Sequence, residues 1–140
     1  MIIAVIDGQG GGIGAHIVEK LRKSLPEEIE IIALGTNAVA TQAMMKAGAN
    51  RGASGENAIL YNLAKVDLIV GTIGIIMPNS MMGELTPKIA ETISTTSVTK
   101  ILLPLEISRV EIAGIGKEPL PHLIDKLVAK VIAKTQKDSK

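Results

Sequence analysis

Asp7 is followed at once by Gly8-Gln-Gly-Gly-Gly-Ile-Gly14, so a carboxylate runs into five glycines within seven residues. An apolar run, Met1-Ile-Ile-Ala-Val-Ile6, precedes it, and a helical pattern follows. A strand, a glycine turn and a helix start in that order bring backbone N–H groups and the positive end of a helix dipole to one point. The chemistry indicated is recognition of a small phosphate-bearing ligand. Asp7, Gly8, Gln9, Gly10, Gly11, Gly12, Ile13 and Gly14 are its candidate residues. The bland alternative is that the glycines only let a helix pack close to a sheet. Five in seven positions exceed that need.

Asp7 complicates an anion site, because a carboxylate repels a phosphate unless a metal or a proton intervenes. Two roles are open to it. It accepts the N–H groups of the glycine turn, or it serves as a Mg²⁺ ligand in phosphoryl chemistry. The first is preferred here, and no metal ligand is assigned.

Read as Gly-x-Gly-x-x-Gly from Gly8, the third glycine falls on Ile13, and that fingerprint fails. A second register, Gly8-x-x-x-Gly12-x-Gly14, resembles the glycine turn of short-chain dehydrogenases, which also joins a first strand to a first helix. The resemblance covers this turn alone, and that family usually has Thr where this chain has Asp7. It implies NAD or NADP. The next test is the acid that dinucleotide sites carry after strand two, on the adenosine ribose. Here that position reads Leu34-Gly35-Thr36-Asn37, with no acid and no nearby Arg for a 2′-phosphate. Gly35, Thr36 and Asn37 stay as cofactor candidates, and a mononucleotide, another phosphate ester or an atypical NAD(P) mode stays open. Tyr61 and Lys65 have the spacing of the dehydrogenase Tyr-x-x-x-Lys pair. The upstream serine is missing and the position in the sheet is wrong, so they are read as a coincidence on a helix face.

The elements that must position these residues alternate. Strands are predicted over Ile2–Ile6, Ile29–Leu34, a short edge strand or loop near Arg51–Ala53, Val66–Val70, Lys100–Leu103 and Val110–Ile115. Between them the apolar spacing predicts helices: Ile13, Ile17, Val18, Leu21 and Leu25 on the first, then Ala38–Ala47, Glu56–Ala64 and Pro87–Thr96. A last helix follows Pro119 and Pro121, and Thr135–Lys140 is expected to fray. This is an α/β pattern: a Rossmann-like, three-layer αβα fold over one domain of 140 residues, with a mainly parallel sheet of five to six strands in the order 3-2-1-4-5.

In that order the loops after strands one and four face each other across one crevice. Gly71, Thr72 and Gly74 join the cofactor candidates. Asn79, Ser80 and Glu84 are the polar candidates of the following loop, and Asn79 and Ser80 are taken as substrate candidates. Ile75, Ile76, Met77, Met81 and Met82 are too apolar for an exposed loop; of a lid and a subunit interface, the interface is preferred. Arg51, Glu56 and Asn57 form a second polar, glycine-rich stretch, and Glu106 lies beyond a strand's carboxyl end; these too are substrate candidates. His16 and His122 are unpaired by spacing and read as surface or capping residues. Lys126, Lys130 and Lys134 read as a solvated helix face.

Composition narrows the class. Lys and Arg number 15 against 14 Asp and Glu, net +1, with one aromatic residue, Tyr61, so neither a basic footprint nor stacking platforms suggest nucleic acid. No cysteine is present, which excludes disulfides and thiolate chemistry. The longest apolar run, Leu68–Met77, is broken by Gly71 and Gly74 and is no membrane span. A cytoplasmic homodimer is the expectation.

Taken whole, the chain resembles an uncharacterised family of short bacterial proteins. The resembling stretches are Ala4–Gly14, Ala33–Asn37, Gly48–Asn57 and Glu118–His122. The resemblance implies a small Rossmann-like protein and carries no catalytic role with it. The first hypothesis is a nucleotide- or dinucleotide-binding protein acting as sensor or accessory subunit. The alternatives are an enzyme, either an NAD(P)-linked oxidoreductase or a metal-assisted phosphate-ester enzyme using Asp7, and a structural interaction module.

Overall fold

The computed structural model describes residues 1–105 and 109–138. Five parallel strands form one sheet: β1 (Ile2–Asp7), β2 (Glu30–Gly35), β3 (Arg51–Ser54), β4 (Leu68–Thr72) and β5 (Thr99–Leu103). Their order is β3-β2-β1-β4-β5, as the alternation predicts. The helices are α1 (Gly12–Ser24), α2 (Ala38–Lys46), α3 (Glu56–Leu63), α4 (Pro87–Thr95) and α5 (Leu120–Asp138). A 3-10 turn, Ile73–Ile76, leaves β4.

Alternation along β1 sorts its side chains between two cores. Ile3 and Val5 join Ile17, Val18, Leu21, Met44, Ile124 and Leu127 on the α1, α2 and α5 side. Ala4 and Ile6 join Ile59, Leu63, Ile89 and Ile93 on the α3 and α4 side. A central parallel strand covered on both faces must be apolar throughout, and Ile3 to Ile6 are all fully buried. Branched aliphatic side chains fill both layers without a single buried aromatic ring. No helix among the described residues is long and apolar enough to cross a membrane.

Two expectations fail. Val110–Ile115 forms no strand: Val110 is a lone bridge residue, and the rest of the segment is irregular and exposed. Its alternating Val110, Ile112 and Ile115 mimic a strand, but Arg109 (φ 67°) and Gly114 (φ 86°) turn the backbone out of the extended region. The sheet therefore has five strands among the described residues. The chain also does not fray at Thr135. Helix α5 runs on to Asp138, and Thr135 is buried with its hydroxyl donating to the Ile132 carbonyl.

Candidate functional site

The glycine turn is a tight reversal. Gly11 N–H donates to the Gly8 carbonyl at 2.9 Å, with Gln9 (φ 49°) and Gly11 (φ 71°) left-handed, and α1 starts at Gly12. The glycines divide by what a side chain would meet. At Gly8 a Cβ would lie 2.5 Å from Thr36 Oγ1 and 2.7 Å from Met81 Sδ. At Gly11 it would lie 2.7 Å from the Ala40 backbone, and at Gly14 2.8 Å from Asp7 Cβ. Those three are glycine for packing. At Gly10 and Gly12 a Cβ meets nothing within 4 Å, so open space flanks both.

Asp7, the last residue of β1, is buried under this turn. Its Oδ1 accepts from Gly8 N–H at 2.8 Å, and its Oδ2 from Gly14 N–H at 2.7 Å. Both carboxylate oxygens are thus engaged by the backbone, the arrangement preferred from the sequence over a Mg²⁺ ligand. A carboxylate here also complements the positive end of α1. Burial nonetheless pushes its pKa above the ordinary value; the Gly14 and Gly8 N–H bonds pull it back down, and the charge of Glu84 adds to the rise. In the first turn of α1, the N–H groups of Gly12 and Ile13 find no acceptor among the described residues. They are the orphan donors every helix start leaves. Gly12 is exposed and Ile13 half-buried.

Glu84 meets this turn from the opposite loop. It lies between the 3-10 turn and α4, in the segment that follows β4. Its Oε1 accepts from Thr36 Oγ1 at 2.7 Å, Asn37 Nδ2 at 2.7 Å and Gln9 N–H at 2.9 Å. One oxygen therefore ties the tip of β2 to the glycine turn. These bonds hold the Glu84 carboxyl below its ordinary pKa, with the Gln9 N–H first, then the Thr36 hydroxyl, against a smaller upward push from burial and ahead of the Asn37 amide. Asn37 is fully used. Its amide also donates to the Gln9 carbonyl at 3.0 Å, and its Oδ1 caps α2 by accepting from Ala40 N–H at 2.9 Å. Thr36 N–H donates to the Asp7 carbonyl at 3.0 Å, closing the same corner.

The structure brings Gly8–Gly14 and Gly35–Asn37 together, and the β4 loop faces them as the strand order requires. Gly35 packs against Thr41, whose hydroxyl accepts its N–H at 3.1 Å. Gly71 gives room for the Ile6 carbonyl, 2.9 Å from where a Cβ would sit. Thr72 ends β4, two residues past the Val5–Val70 pairing, as Asp7 ends β1. Gly74 accepts the Ser80 hydroxyl at 2.6 Å, so Ser80 folds the loop on itself, and Asn79 N–H does likewise to the Leu85 carbonyl at 2.8 Å.

Within the chain the apolar residues of this loop cover the glycine turn. Ile75 is fully buried in the core, Ile76 and Met81 pack against it, and Met81 closes over Gly8. Met82 alone stands out in solvent, 96% exposed. The lid is strained: Asn79, Met81 and Met82 all have positive φ, which non-glycine residues adopt at a cost of about 1–2 kcal/mol each.

The other candidates divide between the two ends of the sheet. Arg51 opens β3 and pairs with Glu30, the first residue of β2, at the amino end of the sheet. Glu56 and Asn57 open α3 in an exposed position, and Glu56 accepts from the Thr86 hydroxyl at 2.5 Å. Glu106 lies outside the described residues. Tyr61 and Lys65 bond each other at 2.6 Å on the exposed outer face of α3, remote from the turn in the fold. Glu84 was one of three polar candidates of its loop in the sequence, which did not disclose its tie to Thr36, Asn37 and Gln9. The signal that pointed to it was negative, a β2 end with no acid of its own.

The chain belongs to the family described as a domain of unknown function, DUF3842, whose model matches residues 2–136. No curated protein matches it. Among solved structures it is similar to a dodecameric FMN-dependent UbiX-like decarboxylase from Escherichia coli O157:H7. That likeness covers 96% of this chain and 94% of the other, at 10% identity and a TM-score of 0.46.

Proposed function

We propose that this chain is a Rossmann-like binding protein for a nucleotide or dinucleotide, held at the carboxyl edge of the sheet, and that it acts as a sensor or accessory subunit. The observation that supports this is the pair of N–H groups at Gly12 and Ile13 with no acceptor among the described residues, beside the open space at Gly10 and Gly12. Donors at a helix start with room in front of them suit a phosphate oxygen. Asp7 takes the N–H groups of Gly8 and Gly14, Glu84 takes that of Gln9 and the Gly8 carbonyl takes that of Gly11, so the phosphate sits outside them, over Gly10 to Ile13. The residues present fit the phosphate of NAD, NADP or a mononucleotide equally. What this chain supplies is binding and orientation by backbone N–H groups.

The test is thermal denaturation of the pure protein with NAD, NADP, AMP, ATP, GTP, coenzyme A and inorganic phosphate, with and without Mg²⁺. A ligand at a hundredfold its Kd adds about 2.7 kcal/mol of stability. The expected result is a clear shift with at least one nucleotide, absent in a Gly12→Val variant that melts like the parent. Gly12 has open space around it, so valine there obstructs a ligand without touching the fold. No shift with any nucleotide overturns the proposal.

A further inference from the structure

We infer that Glu84 is the acid that reads the ribose of the bound nucleotide, delivered across the crevice from the β4–α4 loop in place of the acid missing at the end of β2. The inference rests on the nucleotide proposal above and goes beyond it by naming what the site selects. In dinucleotide-binding sheets the ribose hydroxyls bond a carboxylate at the tip of β2, beside the glycine turn. Here β2 ends in Gly35, Thr36 and Asn37. The Thr36 hydroxyl and the Asn37 amide do not point an acceptor into the crevice. They donate to Glu84 Oε1, each at 2.7 Å. The carboxylate therefore stands where the fold needs one, although it comes from a residue 47 positions beyond Asn37.

The two oxygens of Glu84 have different duties. Oε1 is anchored by three donors, one of them the Gln9 N–H of the glycine turn itself. Oε2 has no partner among the described residues, and no buried side-chain oxygen among them lacks one, so Oε2 faces solvent. A carboxylate fixed by one oxygen and free at the other accepts hydrogen bonds from a ligand and offers none. A vicinal diol suits it; a phosphate does not. The phosphate of the ligand goes to Gly12 and Ile13 N–H, and its ribose 2′-hydroxyl goes to Glu84 Oε2. A 2′-phosphate would bring negative charge against this carboxylate. Arg51 is not placed to receive it, because it pairs with Glu30 at the other end of the sheet. The site thus selects ribonucleotides with a free 2′-hydroxyl: NAD over NADP, ADP over its 2′-deoxy analogue.

Isothermal titration calorimetry on the full chain tests this, with ADP, 2′-deoxyADP, NAD and NADP as probes. The parent is expected to bind ADP at least tenfold tighter than 2′-deoxyADP, and NAD tighter than NADP. In Glu84→Gln, where the side-chain oxygen still receives the three donors, the preference for NAD over NADP should collapse or invert. The comparison of ADP with 2′-deoxyADP is made on the parent protein and does not depend on how any variant folds. Equal affinity for ADP and 2′-deoxyADP, or a preference for NAD undiminished in Glu84→Gln, overturns the role of Glu84 while leaving nucleotide binding intact. Absence of binding by all four probes overturns nucleotide binding and this inference together.

Discussion

Gly12 and Gly14 stand two residues apart in the first turn of α1, and alanine at each should move stability in opposite directions. At Gly14 the new Cβ falls 2.7 Å from Met44 Sδ, 2.8 Å from Asp7 Cβ and 2.9 Å from Asp7 Oδ2. The Met44 thioether can swing aside. Asp7 Cβ cannot, because it hangs from the central strand, so the carboxylate must leave its place. That breaks the 2.7 Å bond from Gly14 N–H, a bond to a charged group worth about 1.5–3 kcal/mol. Overpacking of this kind costs about 1–3 kcal/mol, and the better helix propensity of alanine returns about 1 kcal/mol. The net loss for Gly14→Ala is about 2–3 kcal/mol. At Gly12 no atom lies within 4 Å of the added methyl, and reduced freedom of the unfolded chain stabilises by about 0.4–1 kcal/mol. Urea unfolding followed by circular dichroism reads both, with the slope against denaturant unchanged. Gly14→Ala within about 0.5 kcal/mol of the parent, or Gly12→Ala as damaging as Gly14→Ala, would contradict this packing.

Two further outcomes follow from the same corner. The carboxyls of Asp7 and Glu84 should contribute opposite slopes to stability against pH. Burial raises the pKa of Asp7, so its contribution is full below the unfolded value of 3.8 and is lost as pH rises through the folded value. Hydrogen bonds from Gln9, Thr36 and Asn37 lower that of Glu84, so its contribution is present above the unfolded value of 4.5 and is lost as pH falls through the depressed one. In unfolding series from pH 7 down to pH 3, the parent should lose ground to Glu84→Gln and gain ground on Asp7→Asn; the same slope for both variants would contradict these environments. Asn37→Ala removes the cap of α2 and one donor to Glu84, and should cost about 1 kcal/mol for the cap alone. Asn37→Asp keeps a capping oxygen but sets a carboxylate against Glu84, so it should be destabilised chiefly above pH 5 and at low salt, a dependence Asn37→Ala must not show.

The sheet was legible because its signals are local and redundant. Ile2–Ile6, Ile31–Leu34 and Leu68–Val70 are apolar runs, each followed within two residues by glycine, and each helix between them carries one apolar stripe. Once the strands alternate with helices, the order 3-2-1-4-5 and the facing of the loops after β1 and β4 follow from crossover handedness. Val110–Ile115 shows where period alone misleads. An alternating apolar pattern marks a strand only if the backbone stays extended and a neighbour is there to pair, and Arg109 and Gly114 deny the first. The lid was half legible. Its apolar excess was plain, but the packing of Met81 over Gly8 depends on how the backbone turns at Asn79, Met81 and Met82, three left-handed residues that no propensity predicts.

Glu84 was the harder case, and the reason is general to this architecture. The sheet determines where an acceptor must stand relative to the glycine turn, but not which segment brings it there. A local scan after β2 meets Thr36 and Asn37, finds only side chains that can donate, and marks the position as lacking an acid. Those donors are themselves the message. Two side chains and a backbone N–H converge within 2.9 Å of one oxygen, and a converging set of donors left empty would be costly wherever water is excluded. Such a set calls for an anion, either from the ligand or from the chain. In this protein the chain supplies it, from a loop whose backbone is strained in three places and held at its far end by Leu85, fully buried in the α3–α4 core. Glu84 and Leu85 are adjacent, so the core contact and the crevice contact fix the lid from both sides of one peptide bond. A ligand that met Glu84 Oε2 would leave that anchorage in place, whereas one that competed for Oε1 would have to free the lid from Gln9, Thr36 and Asn37 at once. The first course breaks no existing bond, which is why the free oxygen is assigned to the ribose and the phosphate to the donors of Gly12 and Ile13.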